Sequence, residues 1–296
     1  KNNYFFLLGG RMKKIFNIFL GISTLIFCLS IFNTASALNV VFSEDRPDLR
    51  TLDPRITQSR HEEMIIVQMF DQLISADSNG NLYPGLAKSW DVSSDGLHYT
   101  FNLRDDVTFH DGTKFDAAAV KATFDSIVDP ETGSQGAVDI LGPYASSDVV
   151  DEYTVRVNFS RRYGSALSAF TETELSIVSP TALDSLGNDG FGMSPVGTGP
   201  FMFTNWEANK KVEMVKNPDY NWAPEYMDGS GPSKVDTLTY RLIKDTSTRV
   251  AALESGEVDI AELVPPLDMK RFDGSGKLST IVGTVSGLPY SAFLNT

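Results

Sequence analysis

The sequence predicts a mixed α/β (α+β) fold, and three observations carry that expectation. Leu97, Tyr99, Phe101 and Leu103 alternate with polar neighbours, the period of a strand with one buried face. Ile65, Ile66, Met69, Phe70, Leu73 and Ile74 recur instead at helical spacing. Segments of the two kinds interleave along the chain, which indicates layers of strands and helices rather than one class alone.

Taken in order, Asn39-Val40-Val41-Phe42 is a short apolar strand, and Glu62 to Ile74 reads as a helix. Asp77-Ser78-Asn79-Gly80 is a turn. From Leu82 to Arg104 the chain reads as a short helix-like turn, a tight polar turn and then the strand already described. Asp116 can accept the free N–H groups of a first helical turn, and so opens a helix that runs to Val128. Pro130 and Gly133 stop it. Thr154 to Phe159 alternates as a strand, Ser165 to Phe170 is helical, and Leu238, Tyr240 and Leu242 mark another strand. Thr246 or Ser247 then starts a helix that Gly256 closes at the position after its last turn.

Residues 12–37 have the three parts of a bacterial export signal. Lys13 and Lys14 supply the positive start, Ile15 to Phe32 the apolar stretch, and Ala35-Ser36-Ala37 an A-x-A site for cleavage after Ala37. The small-residue site favours a cleaved leader over a membrane anchor. Cys28, the only cysteine, follows Phe27, whereas a lipidated cysteine follows a small residue. A chain cut after Ala37 has no cysteine, hence no disulfide or thiolate chemistry. Residues 1–11 precede Met12 and read as an upstream extension without functional weight.

Charge narrows the function classes. The whole chain has 25 basic and 38 acidic residues, a net charge of −13. Lys1, Arg11, Lys13 and Lys14 all precede the cleavage point, so the processed chain is four units more negative still. Such a balance excludes nucleic acid, which needs basic patches, and disfavours anionic membrane surfaces. A hydrophobic content of 42% is too high for disorder.

No catalytic residue emerges. Motifs of the types H-E-x-x-H, G-x-S-x-G and G-x-x-x-x-G-K-[ST] are missing from the sequence. Gly197-Thr198-Gly199 is followed by Pro200, which lacks the backbone donor that a phosphate cradle uses, so this stretch reads as a tight turn. His61, His98 and His110 match no compact metal spacing, and no cofactor is expected. His98 falls on the polar phase of its strand, and His110 sits in an Asp-Gly turn. The paired carboxylates Asp105-Asp106 and Glu62-Glu63 read as a solvated acidic face. Trp90 and Trp206 read as structural, while Trp222 lies in a polar loop that does not explain it.

Three ordered motifs carry a resemblance. Leu82-Tyr83-Pro84-Gly85-Leu86-Ala87-Lys88-Ser89-Trp90 leads through Asp95-Gly96 and Tyr99-Thr100-Phe101-Asn102-Leu103-Arg104 to Val107-Thr108-Phe109-His110-Asp111-Gly112. Pro195-Val196-Gly197-Thr198-Gly199-Pro200-Phe201 and Leu253-Glu254-Ser255-Gly256-Glu257-Val258-Asp259-Ile260 follow. Over roughly 52–295 the chain resembles the solute-binding proteins of peptide and nickel ABC importers, family 5. The resemblance implies a class II periplasmic-binding-protein-like fold of two lobes. Residues 38–75 and 181–289 would form lobe I, 76–180 an inserted small domain, and 290–296 the start of a crossover into a second lobe beyond Thr296.

The resemblance also implies the function. A monomeric periplasmic protein would capture a peptide-like solute, close about a hinge, and deliver it to an ABC permease in the inner membrane without inserting there itself. The segment after Leu52-Asp53-Pro54 lines the cleft in the family, which points to Thr57, Gln58, Ser59 and Arg60. The first three can donate and accept hydrogen bonds, and Arg60 can pair with a carboxylate. The loop after Asp259-Ile260 points to Glu262, which could meet a ligand ammonium group. Nickel-binding members carry a cleft arginine where this chain has Glu172-Thr173-Glu174-Leu175-Ser176, so peptides stand ahead of nickel. Alternatives on the same fold are a nickel chelate, an opine, a sugar, another small solute or a chemosensory role. A secreted carboxylate hydrolase is the remote one.

Overall fold

The computed structural model describes residues 2–8, 37–42, 49–227, 229, 231–273 and 278–285. The expected export signal, apart from Ala37, and the expected crossover at 290–296 lie outside the described residues.

In chain order the elements are β1 (Asn2–Leu8), β2 (Ala37–Phe42), α1 (Arg60–Ile66), β3 (Ile74–Ala76), β4 (Leu82–Pro84), β5 (Ala87–Val92) and β6 (His98–Leu103). There follow α2 (Ala117–Val128), α3 (Gly136–Leu141), β7 (Tyr144–Asp151), β8 (Thr154–Phe159), α4 (Ala166–Ala169), α5 (Pro180–Met193, broken at Gly187), β9 (Phe201–Glu207) and β10 (Lys211–Lys216). The last are β11 (Thr237–Leu242), α6 (Thr246–Ser255), β12 (Ile260–Glu262), α7 (Pro266–Asp273) and β13 (Ser279–Val285). They fall into two compact units. One comprises Lys1–Pro47, Asn209–Lys211 and Thr237–Thr296, the other Asp48–Ala208 and Val212–Asp236.

In the first unit the strands lie in the order β13-β1-β12-β2-β11. β2 runs parallel to β11 and β12, and β1 antiparallel to β12 and β13. Helix α6 begins at Thr246, one of the two starts expected, and the residue that caps it is Asp245. The Asp245 carboxylate accepts from Thr248 N at 2.7 Å, and Gly256 closes the helix in the left-handed region at φ 75°. Val250, Leu253, Val258, Val264, Met269 and Phe272 form this unit's core.

The second unit is built on an antiparallel sheet of order β5-β6-β8-β7. Its inner face presents Tyr99, Phe101, Leu103, Val155, Val157 and Phe159, all buried with Val120, Phe124 and Ile127 of α2. Phe170, from the end of α4, meets Phe101 at 5.0 Å and Phe124 at 5.7 Å between ring centroids. Each such side chain contributes about 1.5–3 kcal/mol by burial, so this cluster dominates the unit's stability. The outer face is polar. Asn102 Nδ2 donates to Ser89 Oγ, His98 Nδ1 meets Asn158 Oδ1, Asn158 Nδ2 donates to Ser146 Oγ, and Arg156 pairs with Asp148. This is the alternation of a sheet with one wet face.

Two local expectations fail, for one tertiary reason. The helix expected at 62–74 stops at Ile66, and Ile74 belongs to β3. Beyond Ile66 the Gln68 and Met69 carbonyls accept from Phe201 N and Gly199 N, both at 2.9 Å, which requires open backbone. The helix-like turn expected near Pro84-Gly85-Leu86-Ala87 is extended instead. Leu86 N and Ala87 N donate to Gln72 O and Leu73 O at 2.9 and 3.0 Å. A Cβ added at Gly85 would lie 2.6 Å from Gln72 O, so only glycine allows this approach. Several other local expectations hold: Asp116 accepts from Ala119 N, α2 ends at Val128, and β6, β8, α4 and β11 stand where their periodicity puts them.

Candidate functional site

The candidate site grows from the segment between Leu52 and α1. Asp53 and Arg55 fix its base. They form a fully buried pair with Arg55 Nη2 2.6 Å from Asp53 Oδ2 and Arg55 Nε 3.1 Å from Oδ1. The same guanidinium donates to Ser126 of α2 and Asn188 of α5, and lies over the Phe191 ring at 5.6 Å. A charge buried this deeply is tolerable because it is paired and its remaining donors are satisfied. Arg55 is therefore an internal anchor, although it opens the stretch expected to line a cleft.

Beyond this anchor the side chains divide. Thr57 is buried and its hydroxyl donates to Glu62 Oε2 at 2.6 Å. Gln58 and Arg60 are exposed and Ser59 is half-buried. Gln58 Nε2 donates to Gln135 Oε1 at 2.9 Å, across from the start of α3. Ser59 precedes α1 but its hydroxyl makes no capping bond.

The short 3-10 turn Thr173–Leu175 packs against α1. Two stretches far apart in sequence thus meet: the helix that Arg60 opens and the turn within Glu172–Ser176. Their charges couple. Burial raises the Glu63 pKa above its ordinary value; Arg60 opposes this and Glu172 and Glu62 add to it. Burial likewise raises Glu174, with Glu63 and Glu172 adding to it. The patch offers carboxylates that take a proton more readily than free ones, one guanidinium, and the amides of Gln58 and Gln135. It can hold ammonium and amide groups. Gln135 escaped the sequence reading, and Glu62-Glu63, expected as a solvated face, are buried and half-buried, because only the fold brings Gln135 beside Gln58 and Glu63 beside Glu174.

Glu262 belongs to the other unit, at the end of β12 opposite Phe6 of β1. It is buried, and its charge lies close enough to Tyr240 to add to the rise that burial causes in the phenol pKa.

Other residues weighed for chemistry have structural partners. His110 Nε2 donates to Gly199 O at 2.9 Å, and burial depresses the imidazole pKa to about 4, so the ring is neutral. His98 lies on the wet face of the sheet, as its strand phase suggests, where it is half-buried and bonded to Asn158. Trp222, unexplained by its sequence context, is buried and donates through Nε1 to Asp71 Oδ2 at 3.0 Å. Tyr220 and Thr198 hydroxyls complete the shell of Asp71, whose pKa burial raises. Among the described residues no group of three or more His, Cys, Asp or Glu side chains could hold a metal ion, and no helix is long and apolar enough to cross a membrane.

Comparison with known proteins places this geometry. The family pattern "Bacterial extracellular solute-binding proteins, family 5 Middle" matches residues 81–296. The glutathione-binding protein GsiB of Escherichia coli O6:K15:H31 is 32% identical over 246 residues, covering 83% of this chain and 46% of the relative. Among solved structures, NikZ from Campylobacter jejuni in complex with Ni(L-His) superposes with a TM-score of 0.69 at 27% identity, over 80% of this chain and 45% of that one. The periplasmic binding protein DppA from Helicobacter pylori, in complex with peptide STSA, gives 0.65 at 28% identity over 76% and 46%. The chain thus spans about half the length of the relatives it matches.

Proposed function

The chain belongs to family 5 of the bacterial extracellular solute-binding proteins, and from that premise we propose that the protein containing it captures a peptide-like solute in the periplasm and delivers it to an ABC permease. The observation that supports this most is the packing of α1, which Arg60 opens, against the short turn Thr173–Leu175, where Glu63 couples to Glu172 and Glu174. Gln58, Ser59 and Arg60 would meet the solute's amides and carboxylate, with Thr57 at the base of that segment. Glu262 would meet an ammonium group. A relative named for glutathione and a similar structure solved with the peptide STSA fit a cargo with both groups.

The mechanism follows from linkage. A solute that touches both lobes only in the closed form biases closure by its differential affinity, and release reverses it. In this reading the cargo leaves unaltered, the leader at 12–37 is removed after Ala37, and the protein works as a monomer. Lobe I would comprise 38–75 and 181–289, with 76–180 inserted and 290–296 crossing to a second lobe. Ni(L-His) binding by NikZ keeps a chelate as the second reading.

Isothermal titration of the full-length protein against reduced glutathione, a short-peptide panel and Ni(L-His) tests this. Heat from a peptide or glutathione at micromolar concentrations is the expected result. Heat from Ni(L-His) alone would replace peptide by chelate, and turnover of any titrant would end the carrier reading.

A further inference from the structure

We propose that Glu62 is a positioning residue for the ligand-binding segment, and that Thr57 serves as its strut rather than as a ligand contact. This rests on the cleft reading of Thr57–Arg60 given above. Glu62 is 1% exposed, and its one carboxylate ties two stretches of chain together. Oε1 accepts from the backbone N–H of Arg50 at 2.7 Å and of Thr51 at 3.3 Å. Oε2 accepts from the Thr57 hydroxyl at 2.6 Å, and Thr57 Oγ1 in turn accepts from Ser59 N at 3.3 Å.

The hydroxyl proton of Thr57 is therefore committed, and Thr57 is itself 1% exposed. What the segment turns outward is Gln58, Ser59 and Arg60. A buried carboxylate cannot surrender one of these donors without leaving charge unsatisfied, so the segment keeps its shape before any ligand arrives. A loop already ordered spares the ligand the cost of ordering it. The Asp53–Arg55 pair holds the base of the same segment but bonds to no side chain beyond Arg55 in it. Glu62 is what carries that order forward to the exposed residues.

The test uses the full-length protein as wild type, Glu62→Gln, Thr57→Val, Thr57→Ser and the Glu62→Gln/Thr57→Val double variant. The first readout is amide hydrogen exchange without ligand. Residues 50, 51 and 59 should exchange about tenfold faster in Glu62→Gln, residue 59 alone in Thr57→Val, and none in Thr57→Ser. The second is titration with reduced glutathione and the peptide Ser-Thr-Ser-Ala. Glu62→Gln and Thr57→Val should each weaken binding about tenfold, the double variant no more than either, and Thr57→Ser should bind as wild type. Unchanged exchange in Glu62→Gln overturns the proposal, whatever the ligand does. So does a Thr57→Val variant that loses affinity with wild-type exchange and adds fully to Glu62→Gln, since Thr57 would then touch the ligand. If the wild type binds neither probe, the functional reading loses its support while exchange still decides the role of Glu62.

Discussion

The segment 57–60 and the turn 197–200 are both irregular, yet they are held in opposite ways. The first is tied from beneath by side chains, through Glu62 and the Asp53–Arg55 pair, and leaves Gln58 and Arg60 in solvent. The second is tied chiefly by main chain on several sides, with His110 Nε2 and Asn217 Nδ2 donating to Gly199 O and the Thr198 hydroxyl to Asp71 besides. Gly197 O accepts from His110 N, Gly199 N donates to Met69 O, Phe201 N donates to Gln68 O, and Asn217 N donates to Pro200 O. Side-chain ties hold a loop while freeing its tip to meet something else. Main-chain ties use the loop up as a joint. A Gly-x-Gly stretch that resembles an anion cradle is here such a joint.

The contrast fails first if the joint tolerates a methyl group. A Cβ at Gly197 would lie 2.2 Å from Met69 O and 2.5 Å from the Phe70 ring. Gly197→Ala should therefore cost about 3 kcal/mol or more, or give no folded protein, as read from the urea midpoint. Acid should act at the same joint. The His110 pKa is depressed from 6.5 to about 4, so the unfolded chain takes up a proton before the folded one does. The stabilisation is complete above pH 6.5, is lost as pH falls toward 4, and falls no further below that. Its full extent is about 3 kcal/mol, and it should vanish from the wild-type minus His110→Gln difference measured between pH 7 and 4. An identical pH dependence in the two proteins would mean that His110 is solvated.

Trp222→Phe removes one of three donors from buried Asp71 and should cost about 2 kcal/mol in the same unfolding measurement. The smallest effect is expected at the tip. Gln58→Ala should change stability by no more than about 0.5 kcal/mol, yet weaken solute titration. A large stability loss there would erase the distinction between tip and joint.

What could be read from sequence follows the range of the forces involved. Asp116, Gly256 and the alternation at 97–103 act within a few residues of themselves, so α2, the end of α6 and β6 were legible. The helix expected through Ile74 was not, because Gly199 and Phe201, more than a hundred positions on, take the carbonyls it needed. Trp222 and His110 were opaque for the same reason: Asp71 and Gly199 are distant in sequence. Of the candidate site, family motifs alone pointed to the segment 57–60. The packing of α1 against Thr173–Leu175, and the withdrawal of Thr57 into the interior, were not legible. Nothing in a threonine's neighbours announces that a glutamate five places on will claim its hydroxyl.

The wet side of the β5-β6-β8-β7 sheet has a practical consequence. Its polar groups answer one another across the strands, from Ser89 and Asn102 to Asn158 and Ser146, so nothing else has to cover them. Asp91 stands exposed on that same side, opposite Thr100. The sequence contains one cysteine, Cys28, inside the expected leader. A thiol engineered at position 91 would be the second in this sequence, and a dye attached there would watch the molecule from a surface that folding does not use.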